Sequence, residues 1–219
     1  MPKKSKTPAP LMSGQSVSEA FATILKFNFD YLLTWEQAAR SWDHIEGVHQ
    51  SRVTLRRMRS ALSLFRNALP KTSRKYWSEE LRWVAGELGM ARDMDVLISE
   101  SLAAAAEDLP LKGAQGLIRL AEQRRAQAYQ EQVCPMLDSD RYRSFKEGYE
   151  AWFDKKQWET EGPSKKQSKL LASNMVGFSR GLMDKQERKV LAAGSHVDRL
   201  DAKAMHSLRI ECKKLRYAA

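Results

Sequence analysis

The sequence predicts an all-α fold: two pseudo-symmetric antiparallel helical bundles around a basic groove or pore, with the second half incomplete at the C-terminus. Apolar residues recur at the spacing of an α-helix along most of the chain. No segment shows the sustained alternation with β-branched residues that is typical of a strand. A cationic helical motif near the start recurs at the end, which indicates an internal duplication. Short connections between the helices favour antiparallel neighbours.

The helix boundaries follow from capping residues and from glycine and proline. Ser16 and Glu19 open the first helix, Asp43 caps the second, and Pro70 ends it. Gly89 closes the third helix as a C-terminal stop. The aromatic residues of the first helix are expected in the core: Phe21, Phe27, Phe29, Tyr31 and Trp35. The predicted helices cover about 17–40, 44–69, 73–88, 90–107, 113–133, 140–158 and 169–193, and a last helix lies within 205–219.

The chain is expected to divide into four parts. Residues 1–15 are rich in Lys, Pro and Ser and are predicted to form a disordered basic tail. Residues 16–158 form the first helical half-domain. The polar segment 159–168, ETEGPSKKQS, is broken by Gly-Pro and is predicted to be a linker. Residues 169–219 are the start of the second half-domain.

The charge and cysteine content limit the kinds of function that fit this chain. The 219 residues include 37 Lys and Arg against 27 Asp and Glu, with a net charge of +10 and a pI near 9.6. This excess favours an anionic partner: nucleic acid, a membrane surface or a phosphate polymer. Cys134 and Cys212 form no Cys-x-x-Cys pair and fit reduced thiols in a cytoplasmic protein. No apolar run approaches the roughly 18 residues of a membrane span, and the N-terminus lacks the apolar core of a secretory signal.

The first cationic motif lies in VHQSRVTLRRMRS, residues 48–60. His49, Arg52, Arg56 and Arg59 fall at spacings of 0, +3, +7 and +10, which places them within about 80° of one helix face along roughly 15 Å. Arg57 lies beside this stripe. Neighbouring arginines weaken a helix by about 0.2–0.5 kcal/mol for each like-charged pair, so a polyanion is expected to offset the repulsion. The apolar positions of the same helix are expected in the core: Leu55, Met58, Leu62, Phe65 and Leu69.

The second motif repeats this spacing at the end of the chain. His206, Arg209, Lys213 and Arg216 follow the same pattern at an offset of 157 residues, and Lys214 takes the place of Arg57. Two such stripes in register predict an internal duplication. Two half-domains that meet about a pseudo-twofold axis would bring the cationic stripes close together.

Together these motifs resemble the CHAD domain family, the conserved-histidine α-helical domain. The resemblance rests on VHQSRVTLRRMRSALSLFR (48–66), LRWVAGELGMARDMDVL (81–97) and MHSLRIECKKLRYAA (205–219), and it covers the chain from about Val17 onward. It implies a helical domain of two related bundles whose basic central groove or pore binds inorganic polyphosphate. Relatives are often fused to, or encoded beside, polyphosphate enzymes, and some sit on polyphosphate granules. By this resemblance, Arg92 contributes to the pore.

A polyphosphate site needs an array of positive donors, because the polymer carries about one negative charge per phosphate and no bases. Arginine donates two parallel hydrogen bonds to adjacent oxygens, and lysine acts as a point charge. The two histidines could donate to phosphate, gain a proton near it, or orient a neighbouring arginine. Arg66, one turn beyond the first stripe, is added as a further candidate. The predicted polyphosphate-binding residues are His49, Arg52, Arg56, Arg57, Arg59, Arg66, Arg92, His206, Arg209, Lys213, Lys214 and Arg216.

No catalytic residue, cofactor or metal site is predicted. Metal ligation would need further ligands, and only His44 and His196 remain among the histidines. Two other functions stay open: a nucleic-acid-binding protein, and an enzyme that processes a phosphate polymer. The first arginine stripe contains none of the aromatic residues on which bases stack. Asp93 and Asp95 do not share a helix face as Mg²⁺-binding carboxylates would, and they are expected to pair with the basic residues.

One departure from the family pattern concerns the second half. The first repeat continues to about Leu97 after its His-Arg helix, and the offset places the counterparts at about 254, beyond Ala219. A truncated chain or an incomplete second half is therefore expected, with an oligomer or exchange of helices between molecules as a consequence. No membrane association is expected. The predicted location is the cytoplasm, in association with polyphosphate granules.

Overall fold

The computed structural model describes residues 9–41, 44–103, 113–195 and 202–218. Within these ranges every extended regular element is a helix, and the only β contact is an isolated bridge between Ser16 and Asn174. The all-α prediction is confirmed. The pseudo-twofold relation between two half-domains stays a prediction, as do the domain boundaries.

The helices follow the predicted order with different bounds. They are α1 (Val17–Arg40), α2 (Ile45–Leu64), α3 (Lys71–Glu87), α4 (Gly89–Val96), α5 (Ala114–Ala128), α6 (Cys134–Asp138), α7 (Asp140–Asp154), α8 (Lys165–Leu171), α9 (Met175–Gly194) and α10 (Ala202–Ala218). α4 continues as a π-helical segment over Leu97–Leu102, and α5 continues as another over Tyr129–Val133. A 3₁₀ turn covers Gln157–Glu159.

Several predicted boundaries are wrong. α2 ends at Leu64, five residues before the expected end, because the chain turns at 65–69 and buries Phe65 and Leu69 there. Gly89 begins α4 instead of ending α3; only Leu88 separates the two helices. The helix expected over 169–193 is two helices, because Asn174 caps α9 by accepting a 2.8 Å hydrogen bond from the Val176 backbone. The predicted cap Asp43 and the part of the fourth helix at 104–107 lie outside the described residues.

α1 and α2 pack at very short distance where they cross. Gly47 makes this possible, because a Cβ atom at this position would overlap the backbone of Ala38 and Ala39. Next to the crossing, Ser51 is buried and donates its hydroxyl to the Gly47 carbonyl at 2.9 Å. The crossing therefore presses one face of α2 against α1 and leaves the opposite face for other contacts.

An aromatic cluster forms the centre of the first bundle. Phe21 on α1 contacts Trp152 and Trp158, with ring centroids 5.9 and 4.8 Å away. Trp158 is fully buried, and its indole nitrogen donates a 2.8 Å hydrogen bond to the Ser18 hydroxyl. Trp77 on α3 contacts Trp152 at 5.7 Å. Rings from α1, α3, α7 and the 3₁₀ turn thus share one core. Of the five aromatic residues of α1 expected there, four are buried, whereas Phe27 is half-buried.

The segments on either side of the predicted linker are attached to the first bundle. Glu159 accepts a hydrogen bond from Ser18, and Gln167 on α8 donates to the Leu69 carbonyl at 2.5 Å. α8 also buries Leu171. The 3₁₀ turn extends into the segment 159–168 at its first residue, Glu159, and α8 begins within the segment at Lys165. Ser164 starts α8, because it forms a capping box with Gln167. The non-helical part is confined to 160–164.

The start of α9 is held by the N-terminal segment and by one aromatic contact. The Met175 backbone donates to the Gln15 carbonyl at 3.0 Å, and Asn174 donates to the Ser13 carbonyl at 3.0 Å. Part of the segment predicted as a disordered tail is therefore bound to the helical body. Phe178 packs against Phe65 with centroids 5.2 Å apart. Beyond this point α9 packs against α10 and has no buried residue.

Replacing Gly47 with alanine tests the α1–α2 crossing. We expect Gly47→Ala to lower the free energy of unfolding by about 2–3 kcal/mol, because the added methyl must push the two helices apart. Urea denaturation followed by circular dichroism measures this change. Gly86→Ala is the matched control: no atom outside α3 lies within 4 Å of the added methyl, so stability should stay equal or rise by up to about 1 kcal/mol. If both substitutions changed the free energy of unfolding equally, the close contact of α1 and α2 at Gly47 would be contradicted.

Candidate functional site

α2 has one buried apolar face and one cationic face. Leu55, Met58 and Leu62 are at most 1% exposed, as their spacing predicts. Phe65 and Leu69, which follow the helix, are also buried. On the cationic face, the first two positions of the stripe are half-buried and the last two are exposed. Arg56 and Arg59 are exposed, whereas His49, Arg52 and Arg57 are half-buried.

Arg52 joins α2 to the corner between α3 and α4. Its Nη1 donates a hydrogen bond to the Ala85 carbonyl in the last turn of α3, where the carbonyl dipoles attract a cation. The same nitrogen lies 3.6 Å from the Cβ position of Gly89 at the start of α4. Burial lowers the pKa of Arg52; Asp93 acts against this, whereas the charges of Arg56 and Arg92 add to it.

Arg59 has a second cationic neighbour on α3. Burial is the main cause that lowers the pKa of Arg59, and the charge of Arg82 lowers it further. Arg82 is exposed and was not among the residues predicted from the sequence. It lies within LRWVAGELGMARDMDVL, one of the three segments that carry the family resemblance, but its proximity to Arg59 depends on the packing of two helices.

The remaining predicted residues of the first half differ in their surroundings. Arg92 on α4 is mostly buried and reaches Glu100 in the π-helical segment, with 3.7 Å between nitrogen and oxygen. Arg66 is exposed just after α2. Asp93 is exposed on α4, close enough to Arg52 to favour its charged form. The structure thus brings Arg56, Arg92 and Asp93 close enough to Arg52 for their charges to act on its guanidinium.

Most of these arginines lack a carboxylate partner. Among the described residues, none of Arg52, Arg56, Arg57, Arg59, Arg66 and Arg82 forms an ion pair. Elsewhere on the bundle several cations are paired: Arg40 with Asp138 at 2.8 Å, Arg141 with Glu80 at 2.9 Å and Lys146 with Glu36 at 3.1 Å. The cationic face of α2 is therefore an exposed concentration of uncompensated positive charge.

The second stripe lies on α10, which contacts both α9 and α2. His206, Arg209, Lys214 and Arg216 are exposed, and Lys213 is half-buried. Lys214 pairs with Glu211 at 2.6 Å, and this bond is the main cause that lowers the pKa of Glu211. The structure thus brings the two stripe-bearing helices into contact, and one of the second-stripe cations is already paired.

A buried ionic cluster lies between α4 and α5. Asp95 is 1% exposed and accepts a 2.7 Å hydrogen bond from Arg125 Nε and a 3.4 Å bond from the Tyr129 hydroxyl. Burial raises the pKa of Asp95, although Arg125 acts in the opposite direction. Burial also raises the pKa of Tyr129. Asp95 does pair with a basic residue as expected, but that residue is Arg125 and not one of the stripe residues.

The described residues hold no group of three or more His, Cys, Asp or Glu side chains that could bind a metal ion. In the same part of the chain, no helix is long and apolar enough to cross a membrane. A groove beside α1, lined by Gln15, Thr23, Phe153 and others, contains none of the predicted binding residues. The candidate site is therefore separate from this groove.

Comparison with known proteins decides the family. The family model of the CHAD domain matches residues 23–219. The chain belongs to the CHAD domain family. The crystal structure of the CHAD domain from the plant Ricinus communis is similar, with 29% identity and a TM-score of 0.72 over 99% of this chain and 70% of that chain. PptA from Streptomyces chartreusis shares the fold, with 18% identity and a TM-score of 0.64 over 93% of this chain and 74% of that one.

Two uncharacterized proteins of Mycobacterium tuberculosis, from different strains, are each 28% identical to this CHAD domain over 194 residues. The alignment covers 87% of this chain and 36% of each relative. The CHAD domain thus spans about a third of the length of the curated relatives that it matches. The family resemblance inferred from the two stripes and the central segment is confirmed, whereas the individual binding residues stay predictions.

The Asp95–Arg125 pair gives this CHAD domain a pH-dependent prediction. Arg125→Ala should lower the free energy of unfolding by about 3 kcal/mol at pH 7, because it leaves Asp95 buried and charged without its partner. The loss should shrink toward pH 4. Asp95 has a raised pKa in the folded state, so its contribution to stability is largest when it is protonated and falls as pH rises through that pKa. Urea denaturation at several pH values measures the effect.

Two variants control this experiment. Asp95→Asn added to Arg125→Ala should restore most of the stability at pH 7, because it removes the buried charge. Arg143→Ala removes an exposed cation that pairs with Asp140 at 2.8 Å and should cost less than about 1 kcal/mol. If Arg125→Ala lowered the free energy of unfolding equally at every pH, the charge of Asp95 would not be the cause of the lost stability.

Proposed function

We propose that this CHAD domain binds inorganic polyphosphate through the cationic face of α2, with α10 as a second wall. The single observation that carries the proposal is the group of unpaired arginines on α2, in a protein whose other described helices pair several of their cations. Repulsion among Arg52, Arg56 and Arg92 disfavours this arrangement in the free protein. A polyanion that lies across them would relieve the repulsion. Membership of the CHAD family supports the same ligand.

The chemistry suits a flexible phosphate polymer. Each guanidinium can donate two parallel hydrogen bonds to neighbouring phosphate oxygens, and it stays charged at every physiological pH. A single exposed contact contributes under about 1 kcal/mol, but several contacts together displace many counterions from the polymer. By analogy with single-stranded nucleic acid, log K should fall with log salt by about 0.7 for each neutralised charge.

The proposal is a binding function without catalysis. Phosphoryl transfer usually uses clustered carboxylates that hold Mg²⁺ near the substrate. Asp95 is engaged with Arg125 inside the protein, which leaves Asp93 as the exposed carboxylate of this pair. We place the protein in the cytoplasm, where it would meet the polymer at polyphosphate granules. The nucleic-acid alternative is tested below as a competitor.

Competition between polymers tests the ligand. Long-chain polyphosphate should bind more tightly than single-stranded DNA of equal total charge, because the site offers closely spaced cations and the first stripe has no aromatic residue for base stacking. Displacement of fluorescent polyphosphate by each unlabelled polymer measures the preference. Effective displacement by DNA at equal charge would favour a nucleic-acid-binding protein. Samples incubated with Mg²⁺ serve as the check on catalysis, since shortened polymer on a gel would indicate an enzyme.

Replacing two exposed arginines tests the site. Arg56→Ala with Arg59→Ala should weaken polyphosphate binding about 5- to 30-fold, the equivalent of two exposed contacts, without lowering the melting temperature. Arg52 is kept, because its loss would also remove the hydrogen bond to Ala85.

The charge-matched control for this variant is Lys75→Ala with Arg143→Ala. Both of these residues are exposed, and each pairs with a carboxylate of its own helix. The control variant should bind nearly as tightly as the original protein. Equal losses in the two double variants would mean that net charge, and not the face of α2, determines binding.

A further inference from the structure

The register of α2 and α3 brings a further arginine to the cationic face of α2. The two helices contact each other and are joined by the six residues 65–70. Arg52, in the first half of α2, bonds to Ala85, near the end of α3. The helices therefore run antiparallel, and two turns further along α2 this register places Arg59 opposite the stretch of α3 around Ser78, about one turn before Arg82. The effect of the Arg82 charge on Arg59 agrees with this register.

The surroundings of Arg82 leave its charge uncompensated. The side chain is exposed, and it makes no hydrogen bond or ion pair within the part of the chain that the structure describes. Glu79, one turn earlier on α3, pairs instead with Lys75 at 3.8 Å. Arg82 is therefore an exposed cation next to a second cation, and the carboxylate one turn away on its own helix is paired with another residue. Like the arginines of α2, it carries a charge that no ion pair compensates.

α4 also adjoins the cationic face, near Arg52. Arg92 is close enough to Arg52 for its charge to act on the Arg52 guanidinium, and α4 contacts both α2 and α3. Arg82 and Arg92 therefore add cations to this face from two different helices. The positive surface extends across the helices as well as along them.

We propose that Arg82 is a further contact for the polyphosphate chain, and that the binding surface of the first half-domain crosses from α3 over α2 to α4. The proposal rests on the proposed function, since it concerns the same ligand. It also gives Arg52 a different role from the one expected from its spacing: Arg52 positions α3 and α4 against α2, while Arg56, Arg59 and Arg82 meet the polymer.

The test compares Arg82→Ala with Lys75→Ala in the full chain. Both variants lose one exposed positive charge from α3, and the two positions are seven residues apart on the same helix face, about 10 Å along the axis. This separation exceeds the Debye length of about 8 Å at physiological salt, so the Lys75 charge acts weakly at the Arg82 position. Fluorescence anisotropy with labelled long-chain polyphosphate, at several salt concentrations, gives both the affinity and the salt slope.

Arg82→Ala should weaken binding about fivefold and reduce the slope of log K against log salt by about 0.7. Lys75→Ala should change affinity less than about twofold. Equal affinities of the two variants would overturn the role of Arg82 but leave the proposed function intact, provided that Arg56→Ala with Arg59→Ala still weakens binding. Failure of the unmodified protein to bind polyphosphate would refute the proposed function itself.

A change in folding is excluded by melting curves of each variant. Arg82→Gln replaces Arg82→Ala if alanine lowers the melting temperature, because the glutamine amide keeps most of the side-chain length without the charge. The double variant Arg59→Ala with Arg82→Ala gives the coupling between the two positions. If both arginines contact the same stretch of polymer, the combined loss should differ from the product of the single losses; a combined loss equal to that product would contradict a shared stretch and show that the two positions act on binding independently.

Discussion

The close crossing of α1 and α2 is the constraint on which the candidate site depends. Gly47 allows the two backbones to approach, and the buried residues Ser51, Leu55 and Met58 continue the contact along α2. Because this face of α2 packs against the core, the arginines on the opposite face of the helix point toward solvent. α1 in turn is held by the aromatic cluster around Phe21. The position of the cationic face is thus determined by apolar packing on the other side of the same helix.

Charge has two separate uses in this CHAD domain. Pairs such as Arg40–Asp138 and Lys146–Glu36 connect distant parts of the chain across helix interfaces. Such partly exposed pairs contribute little energy individually, but they fix how the elements meet. The arginines of α2 instead lie near one another, and the neighbouring carboxylates are few. The exposed arginines of α2 and its neighbour Arg82 therefore form a local cluster of positive charge.

Helical periodicity was sufficient to predict the fold class and the buried face of α2, and the family was predicted from its resemblance to three segments, 48–66, 81–97 and 205–219. The predicted boundaries failed where tertiary packing outweighs local signals. Glycine is typical of a helix stop, yet Gly89 begins α4, and its backbone does not adopt the left-handed conformation of a C-terminal glycine. The end of α2 was placed too late, since the apolar residues after Leu64 continue the helical spacing while the backbone turns.

The contacts that the sequence did not predict share a common cause. Spacing within one helix reveals residues on a shared face, and this is how the two stripes were found. Arg82 and Arg59 lie on different helices, and Arg125 lies 30 residues from Asp95. Contacts of this kind depend on how helices pack, and a single sequence contains no direct signal for them. The roles of the predicted stripe residues therefore rest on their exposure and charge.

The lack of buried side chains on α9 has a consequence for the energetics of binding. A helical hairpin that contributes so little to the core opens at a lower free energy than the aromatic bundle, so its amide hydrogens should exchange faster than those of α1 and α7. The second stripe belongs to this hairpin, through the packing of α10 on α9. A polymer long enough to reach from α2 to α10 would have to order the hairpin as it binds, and the cost of that ordering would be subtracted from the gain of the extra contacts. The two walls would then differ in kind: α2 is a rigid, preformed surface, and α10 is an adaptable one whose stability depends on the ligand.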